Sequence, residues 1–268
     1  MKHELSDKQL AFYSDNGFLI VEGFLDASEL EHWRKTTEEA VAMRLGSDTL
    51  NNQKDPDAFY AQVFTQALRL ADIHAGMRDL VYDRRIGKMA ATLVGEEGMR
   101  VWHDQALFKP PLGNPTAWHL DNPYWSFSSR HALSFWIALD DATLENGCMW
   151  YIPGSHKSAT YENVGIGQNM ADLFKVYPAW RQIDPVCGAC PAGSVVWHNG
   201  LTAHGAGVNM TRHARRAMTC AFMPDGATFN GRRNILPESY FSSLKVGDVL
   251  NNDEQNPLVW HKSWENRV

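Results

Sequence analysis

The 268-residue chain holds four cysteines, too few for a disulfide scaffold at this length. The single Cys-x-x-Cys, Cys187-Gly188-Ala189-Cys190, has no second pair and no thioredoxin-like βαβ pattern around it, so loop cysteines are expected there rather than a redox or zinc centre. Long apolar runs are missing, which argues against a membrane span, and Met1 to Asp7 lacks the apolar stretch of a signal peptide. An excess of positive charge is missing too. The net charge of -6 speaks against nucleic acid or an anionic membrane as partner. Internal repeats and low-complexity tracts are absent. These exclusions leave a cytoplasmic protein with a small-molecule partner as the expectation; oligomeric state is not legible.

What is present reads as an ordinary soluble globule, 44% hydrophobic and 21% charged. The first third has helical texture. Ser6 with Gln9 has the form of a capping box, and Gly17 stops the helix that follows. Phe18 to Val21 is a short strand, and Asp26 or Ser28 caps a longer helix to Met43. Residues 45–57 suggest a surface loop, and Phe59 to Leu70, Ile73 to Val81 and Ile86 to Val94 further helical pieces. From residue 99 short β-type runs alternate with Pro, Gly and Asn. This order predicts one catalytic domain over 1–268: helical support over 6–98, a β core over about 99–225 and a C-terminal extension over 226–268.

The chemistry centres on Trp118-His119-Leu120-Asp121. On a strand, residues two apart share a face with α-carbons about 6.6 Å apart, so imidazole and carboxylate reach one cation. Two histidines and a carboxylate mark non-haem Fe(II) oxygenases, so a second histidine is required. His204 and His198 compete for that place; Gly205 and Gly207 beside His204 let backbone crowd a ligand set, whereas His198 lies within a strand. His103 and Asp104 are adjacent, point apart and read as supporting residues, and His156 in its Pro-Gly-Ser turn reads as structural. Strand alternation puts Val101, His103, Gln105 and Leu107 on one face of Arg100 to Lys109. In His131 to Leu139, Trp136 stands among Ala132, Ser134 and Ala138, the texture of a cavity wall. Arg215 begins a face continued by Ala217, Thr219 and Ala221, which suggests a pocket floor ending in a guanidinium able to grip a carboxylate. Tyr124, Trp125 and Phe127, with the insert 158–185, are the expected substrate wall, and Arg232 with Arg233 a possible basic patch.

Taken together, Lys109-Pro110-Pro111 before Trp118-His119-Leu120-Asp121, the segment from Asn146-Gly147-Cys148 to Pro153-Gly154-Ser155-His156-Lys157, and His204-Gly205-Ala206-Gly207-Val208-Asn209 with Arg215 resemble the phytanoyl-CoA dioxygenase family. The resemblance covers about residues 6–225. It implies a mainly β double-stranded β-helix, or jelly roll, buttressed by α-helices. It also implies iron ligands His119, Asp121 and His204, and Arg215 on the distal carboxylate of 2-oxoglutarate. By the same comparison Gln105, Trp136 and Ala206 line the cosubstrate pocket, Ala206 standing where the family often has serine, and Gln62 sits at its rim. The implied cofactors are Fe(II), 2-oxoglutarate and O2, with succinate and carbon dioxide released as a substrate C–H bond is oxidised. Asp121 favours hydroxylation, desaturation or cyclisation over halogenation. Two other readings stand beside this one: a cupin-type enzyme using another divalent metal, and a jelly-roll binder without catalysis.

Overall fold

The computed structural model describes residues 1–47, 50–53 and 59–265. In chain order its main elements are α1 (Asp7–Asn16), β1 (Phe18–Val21), α2 (Ala27–Leu45), β2 (Thr65–Leu68), α3 (Ala75–Val81), α4 (Arg84–Val94), β3 (Gly98–Lys109), β4 (Thr116–His119), β5 (Leu133–Ala138), β6 (Met149–Tyr151), β7 (Val186–Cys187), β8 (Val195–Asn199), β9 (His204–Ala206), β10 (Arg215–Pro224) and β11 (Leu258–His261). Both predicted helix starts are present as capping boxes, Ser6 with Gln9 and Asp26 with Glu29, and Gly17 closes α1 in the left-handed region at φ 79°.

Two antiparallel sheets face each other. The larger runs β1-β8-β5-β10-β3-β11, with β2 also paired to β3, and the smaller runs β4-β9-β6-β7. This is the expected jelly roll. Leu133, Phe135, Ile137 and Leu139 lie in the apolar layer between the large sheet and the helices, where Phe135 meets Trp33 edge-on at 6.1 Å. The opposite face of the same strand sends Trp136 and Ala138 between the sheets, against Met149, Tyr151 and Ala206.

Some local expectations fail. Phe59 to Leu70 is not a helix: after a 3-10 turn at Phe59–Gln62 it becomes β2, paired with Gln105 to Phe108 of β3. Of the loop expected over 45–57, Leu45 ends α2, and Asn51 forms a bridge with Ala67, which ties this stretch to β2; 48–49 and 54–57 lie outside the described residues. In β3 the register steps from Ala221↔His103 to Phe222↔Val101, so Trp102 is an extra residue and Val101 turns to the helix side, away from His103. The C-terminal segment supplies β11 to the large sheet, and its Leu236 and Leu250 pack with Trp102. Cys187 sits in a strand rather than a loop, 3.4 Å from Cys148 between sulfurs, and all four cysteines are free. Among the described residues no helix is long and apolar enough to cross a membrane.

Asp104 is buried on the helix side of β3 and accepts from the amides of Leu70, at 2.8 Å, and Ala71. Burial pushes its carboxyl up to about 7. A raised carboxyl binds its proton more tightly folded than unfolded, so its stabilisation is full below about pH 4 and is lost as pH rises through 7, on the order of 4 kcal/mol. Asp104→Asn should flatten that dependence; urea unfolding of the chelator-treated protein at pH 5 and pH 8 measures it, and an unaltered slope in the variant rules Asp104 out as the source.

Candidate metal centre

His119 ends β4 and His204 opens β9, and the two strands pair them directly. A Cβ at Gly205 would lie 2.8 Å from the Thr116 carbonyl oxygen, so only glycine lets β9 approach β4 this closely. The imidazole centroids are 4.2 Å apart. Each ring donates from Nδ1 to a carbonyl two residues back, Ala117 for His119 and Thr202 for His204, both at 2.9 Å. A carbonyl can only accept, so Nδ1 carries a proton, and in the neutral ring Nε2 presents the lone pair. Both Nε2 atoms point at Asp121 Oδ1, at 3.6 and 3.7 Å. The candidate ligand atoms of His119, Asp121 and His204 all lie within 4.8 Å of one another. Burial, then the neighbouring His119, drives His204 down to about 3, so its ring is neutral at pH 7. Two neutral lone pairs and a carboxylate oxygen converging in a buried place form a donor set suited to a divalent cation.

Asp121 does not reach this set by strand alternation, as the sequence reading assumed. β4 ends at His119, and Asp121 stands at φ -81°, ψ -52°, entering a short 3-10 turn. Its amide and that of Asn122 donate to the Gly200 carbonyl, which pins the turn. The second carboxylate oxygen is also held: Oδ2 accepts from His198 Nε2 at 3.2 Å and from Ser134 Oγ at 3.5 Å. His198 therefore stands behind the carboxylate rather than among the converging donors. Burial alone would raise the Asp121 carboxyl, yet the facing imidazoles hold it well below the ordinary carboxylate range.

Next to the other end of the cavity, though not itself among the lining residues, Arg215 is fully buried, and none of its three guanidinium nitrogens has a hydrogen-bonding partner. Its Cζ lies 5.0 Å from the centroid of Trp136 and 5.9 Å from that of Phe64, both cavity-lining. Lys109, its cross-strand neighbour, is equally buried and pushed down to about 7 by burial and by Arg215. A guanidinium stripped of water without an acceptor is costly, so this end is built for an anion.

The cavity between these ends encloses about 370 Å³. Of the residues expected to line it, Gln105, Trp136, Ala206, Tyr124 and Trp125 do. Phe127 does not: it is fully buried, edge-on to Trp102 and stacked on Trp125, and supports the wall from behind. Gln62 is outside the lining and accepts two hydrogen bonds from Asn114, one from its side-chain amide and one from its backbone amide. His156 contacts the Ser14 carbonyl, as a structural histidine would. Arg232 is exposed and Arg233 pairs with Glu238, so neither extends the site. The insert contributes Gly165 and Ile166, whereas Tyr60, Gln66, His103, Thr116 and Asn234 were not read as lining. Asn234 shows why: it reaches the cavity through a hydrogen bond from Trp102 Nε1, a contact 132 residues apart in sequence.

Residues 13–217 match the family model described as phytanoyl-CoA dioxygenase (PhyH). A phytanoyl-CoA dioxygenase of Arabidopsis thaliana is 25% identical over 246 residues, covering 80% of this chain and 87% of that protein. Among solved structures, SnoK, a non-haem alpha-ketoglutarate-dependent carbocyclase from nogalamycin biosynthesis, superposes with TM-score 0.80 at 28% identity, over 95% of this chain and 96% of its own. The epimerase SnoN, in complex with Fe3+, alpha-ketoglutarate and nogalamycin RO, superposes with TM-score 0.76 at 25% identity, over 94% and 98%. The chain thus belongs to the phytanoyl-CoA dioxygenase family, among the iron- and 2-oxoglutarate-dependent oxygenases.

Proposed function

We propose that this protein is an Fe(II)- and 2-oxoglutarate-dependent dioxygenase that hydroxylates a C–H bond of an uncharged small molecule, releasing succinate and carbon dioxide. The observation that carries the reading is the buried, unpartnered Arg215 guanidinium packed against Trp136 and Phe64 in the wall of the cavity that holds His119, Asp121 and His204. Those three residues would hold the iron, and Arg215 would take the distal carboxylate of 2-oxoglutarate through its fork. Bound there, the metal supplies activation of dioxygen coupled to oxidative decarboxylation of the keto-acid. The chain's own part is positioning. His198 and Ser134 fix the carboxylate of Asp121, the carbonyls of Ala117 and Thr202 fix the tautomers, and Trp136 with Phe64 keeps water from the guanidinium. A cupin-type hydrolase would have no use for a buried, unpartnered guanidinium packed against the wall of its metal cavity, which disfavours that alternative.

The substrate class follows from the rest of the lining. Among its described residues there is no lysine or arginine, and Asp121 is the sole carboxylate; aromatic and amide groups such as Tyr60, Trp125, Gln66 and Asn234 make up the wall. A phosphate or CoA diphosphate inside this cavity would meet no counter-ion other than Arg215, which in this reading is taken by 2-oxoglutarate. His103, driven down to about 4 by burial, adds a neutral ring.

The test is anaerobic addition of 2-oxoglutarate to the Fe(II)-loaded protein, which should produce a visible charge-transfer band; a protein that binds neither iron nor 2-oxoglutarate sinks the proposal. Turnover with isotopically labelled dioxygen then decides the outcome, since hydroxylation places label in the product, whereas cyclisation, desaturation or epimerisation does not. Uncharged ring-bearing compounds should stimulate succinate release, and phosphorylated versions of the same compounds should not.

A further inference from the structure

The insert over 158–185 grips the metal-ligand segment from behind and then returns over the cavity. His119 and Asp121 belong to the cavity lining, whereas Leu120 between them is fully buried on the other side, against Leu173, Tyr177 and Trp180 of the insert. Trp118 lies tilted on Phe174, with ring centroids 5.7 Å apart. Farther along the same insert, Gly165 and Ile166 come round to line the cavity.

One side chain joins the two contacts. Asn163 donates from Nδ2 to the Leu120 carbonyl at 2.9 Å, and its Oδ1 accepts from the Leu120 amide in a longer, weaker bond of 3.4 Å. A single carboxamide thus clasps both backbone groups of the residue that separates two metal donors. Beyond Asn163 the insert is loosely packed: a Cβ on Gly165 would meet nothing within 4 Å, and on Gly167 it would meet the Gly165 carbonyl at 4.0 Å. Tyr124, itself in the lining, adds a second fastening by donating from Oη to the Val164 carbonyl at 2.7 Å. Both fastenings land on the turn that carries Asp121, one on each side of it. The β4 ladder has ended at His119, so the approach of the carboxylate depends on what holds this turn.

We propose that Asn163 is a positioning residue that makes metal retention and the ordering of the Gly165–Ile166 cover one coupled equilibrium. A divalent ion that draws Asp121 toward the two histidines also fixes Leu120, and through Asn163 it fixes the cover that presents Ile166 to the substrate. The coupling is reciprocal, so whatever stability the metal lends the cover, the cover lends the metal. This rests on the metal-centre reading above.

Hydrogen exchange on the full chain, with and without Mn(II), reads the coupling, because amide exchange reports local opening. In wild type Mn(II) should slow exchange over 163–167, and in Asn163→Ala that slowing should be lost. Calorimetry should show Mn(II) affinity falling about tenfold in Asn163→Ala, as removal of an outer hydrogen-bonding partner does. Tyr177→Phe is the control: it removes a hydroxyl that donates to the Glu162 carbonyl in the same insert without touching the turn. It should speed exchange over the insert and leave Mn(II) affinity unchanged. Metal-dependent protection that persists in Asn163→Ala, wild-type Mn(II) affinity in that variant, or an equal loss in Tyr177→Phe overturns the assignment. If wild type binds no Mn(II), or if His119→Ala binds it as wild type does, the metal-centre reading itself has failed. Mn(II) binding that depends on His119 and leaves exchange over 163–167 unchanged removes this inference alone.

Discussion

His119→Ala should lose Fe(II) retention and succinate release together, by far more than the roughly 10- to 100-fold that removing an outer hydrogen-bonding partner costs. The expectation follows from the donor count: taking one Nε2 away from a set of three leaves a histidine and a carboxylate, with His198 committed to the other oxygen of Asp121. His198→Ala is the matched control. Asp121 would keep the serine contact and its place in the turn pinned by Gly200, so the loss should stay within that smaller range. Iron content after desalting and initial rates of succinate formation measure both. Equal damage from the two variants would mean that His198 is a ligand and that the assignment of His204 must be reopened. Thermal unfolding of the metal-free proteins separates either result from misfolding.

The contrast between His119 and His198 also shows what the sequence could carry. Local signals survived into the structure: the capping boxes at Ser6 and Asp26, the glycine beside His204, and the single large aromatic at Trp136 among small residues. Each depends on residues within a few positions of one another. What failed depended on register between distant segments. β2 was read as helix because its strand character comes from pairing with β3 some forty positions later. Strict alternation put Val101 with His103, and it would have put Thr116 opposite His119; one inserted residue in β3 and another in β4 reverses both. Bulges leave no signature in residue type, yet they decide which side chains enter the cavity. The histidine pattern was legible for another reason: a donor set needs particular atoms, and few residues have them.

Arg215→Met should produce a protein that is more stable and nearly inactive. Three guanidinium nitrogens buried without an acceptor burden the cosubstrate-free fold, and Lys109, pushed down to about 7 by burial and by this arginine and donating to the Asn114 carbonyl, adds a second basic group beside it. Replacing a buried charge with an apolar side chain of similar length is commonly neutral to stabilising, by as much as about 4 kcal/mol. The melting temperature without cosubstrate should therefore rise, by roughly 2 °C or more. Binding should move the other way: losing one partner of a desolvated charge pair costs about 2–5 kcal/mol, so 2-oxoglutarate affinity should fall roughly 100-fold. The two effects meet in one measurement. In wild type, 2-oxoglutarate with Mn(II) should raise the melting temperature by mass action, whereas in Arg215→Met the starting value is higher and the increment vanishes. A variant that is destabilised yet still gains from 2-oxoglutarate would show that Arg215 holds the sheets together rather than the keto-acid, because a structural guanidinium and an anion site fail in opposite directions.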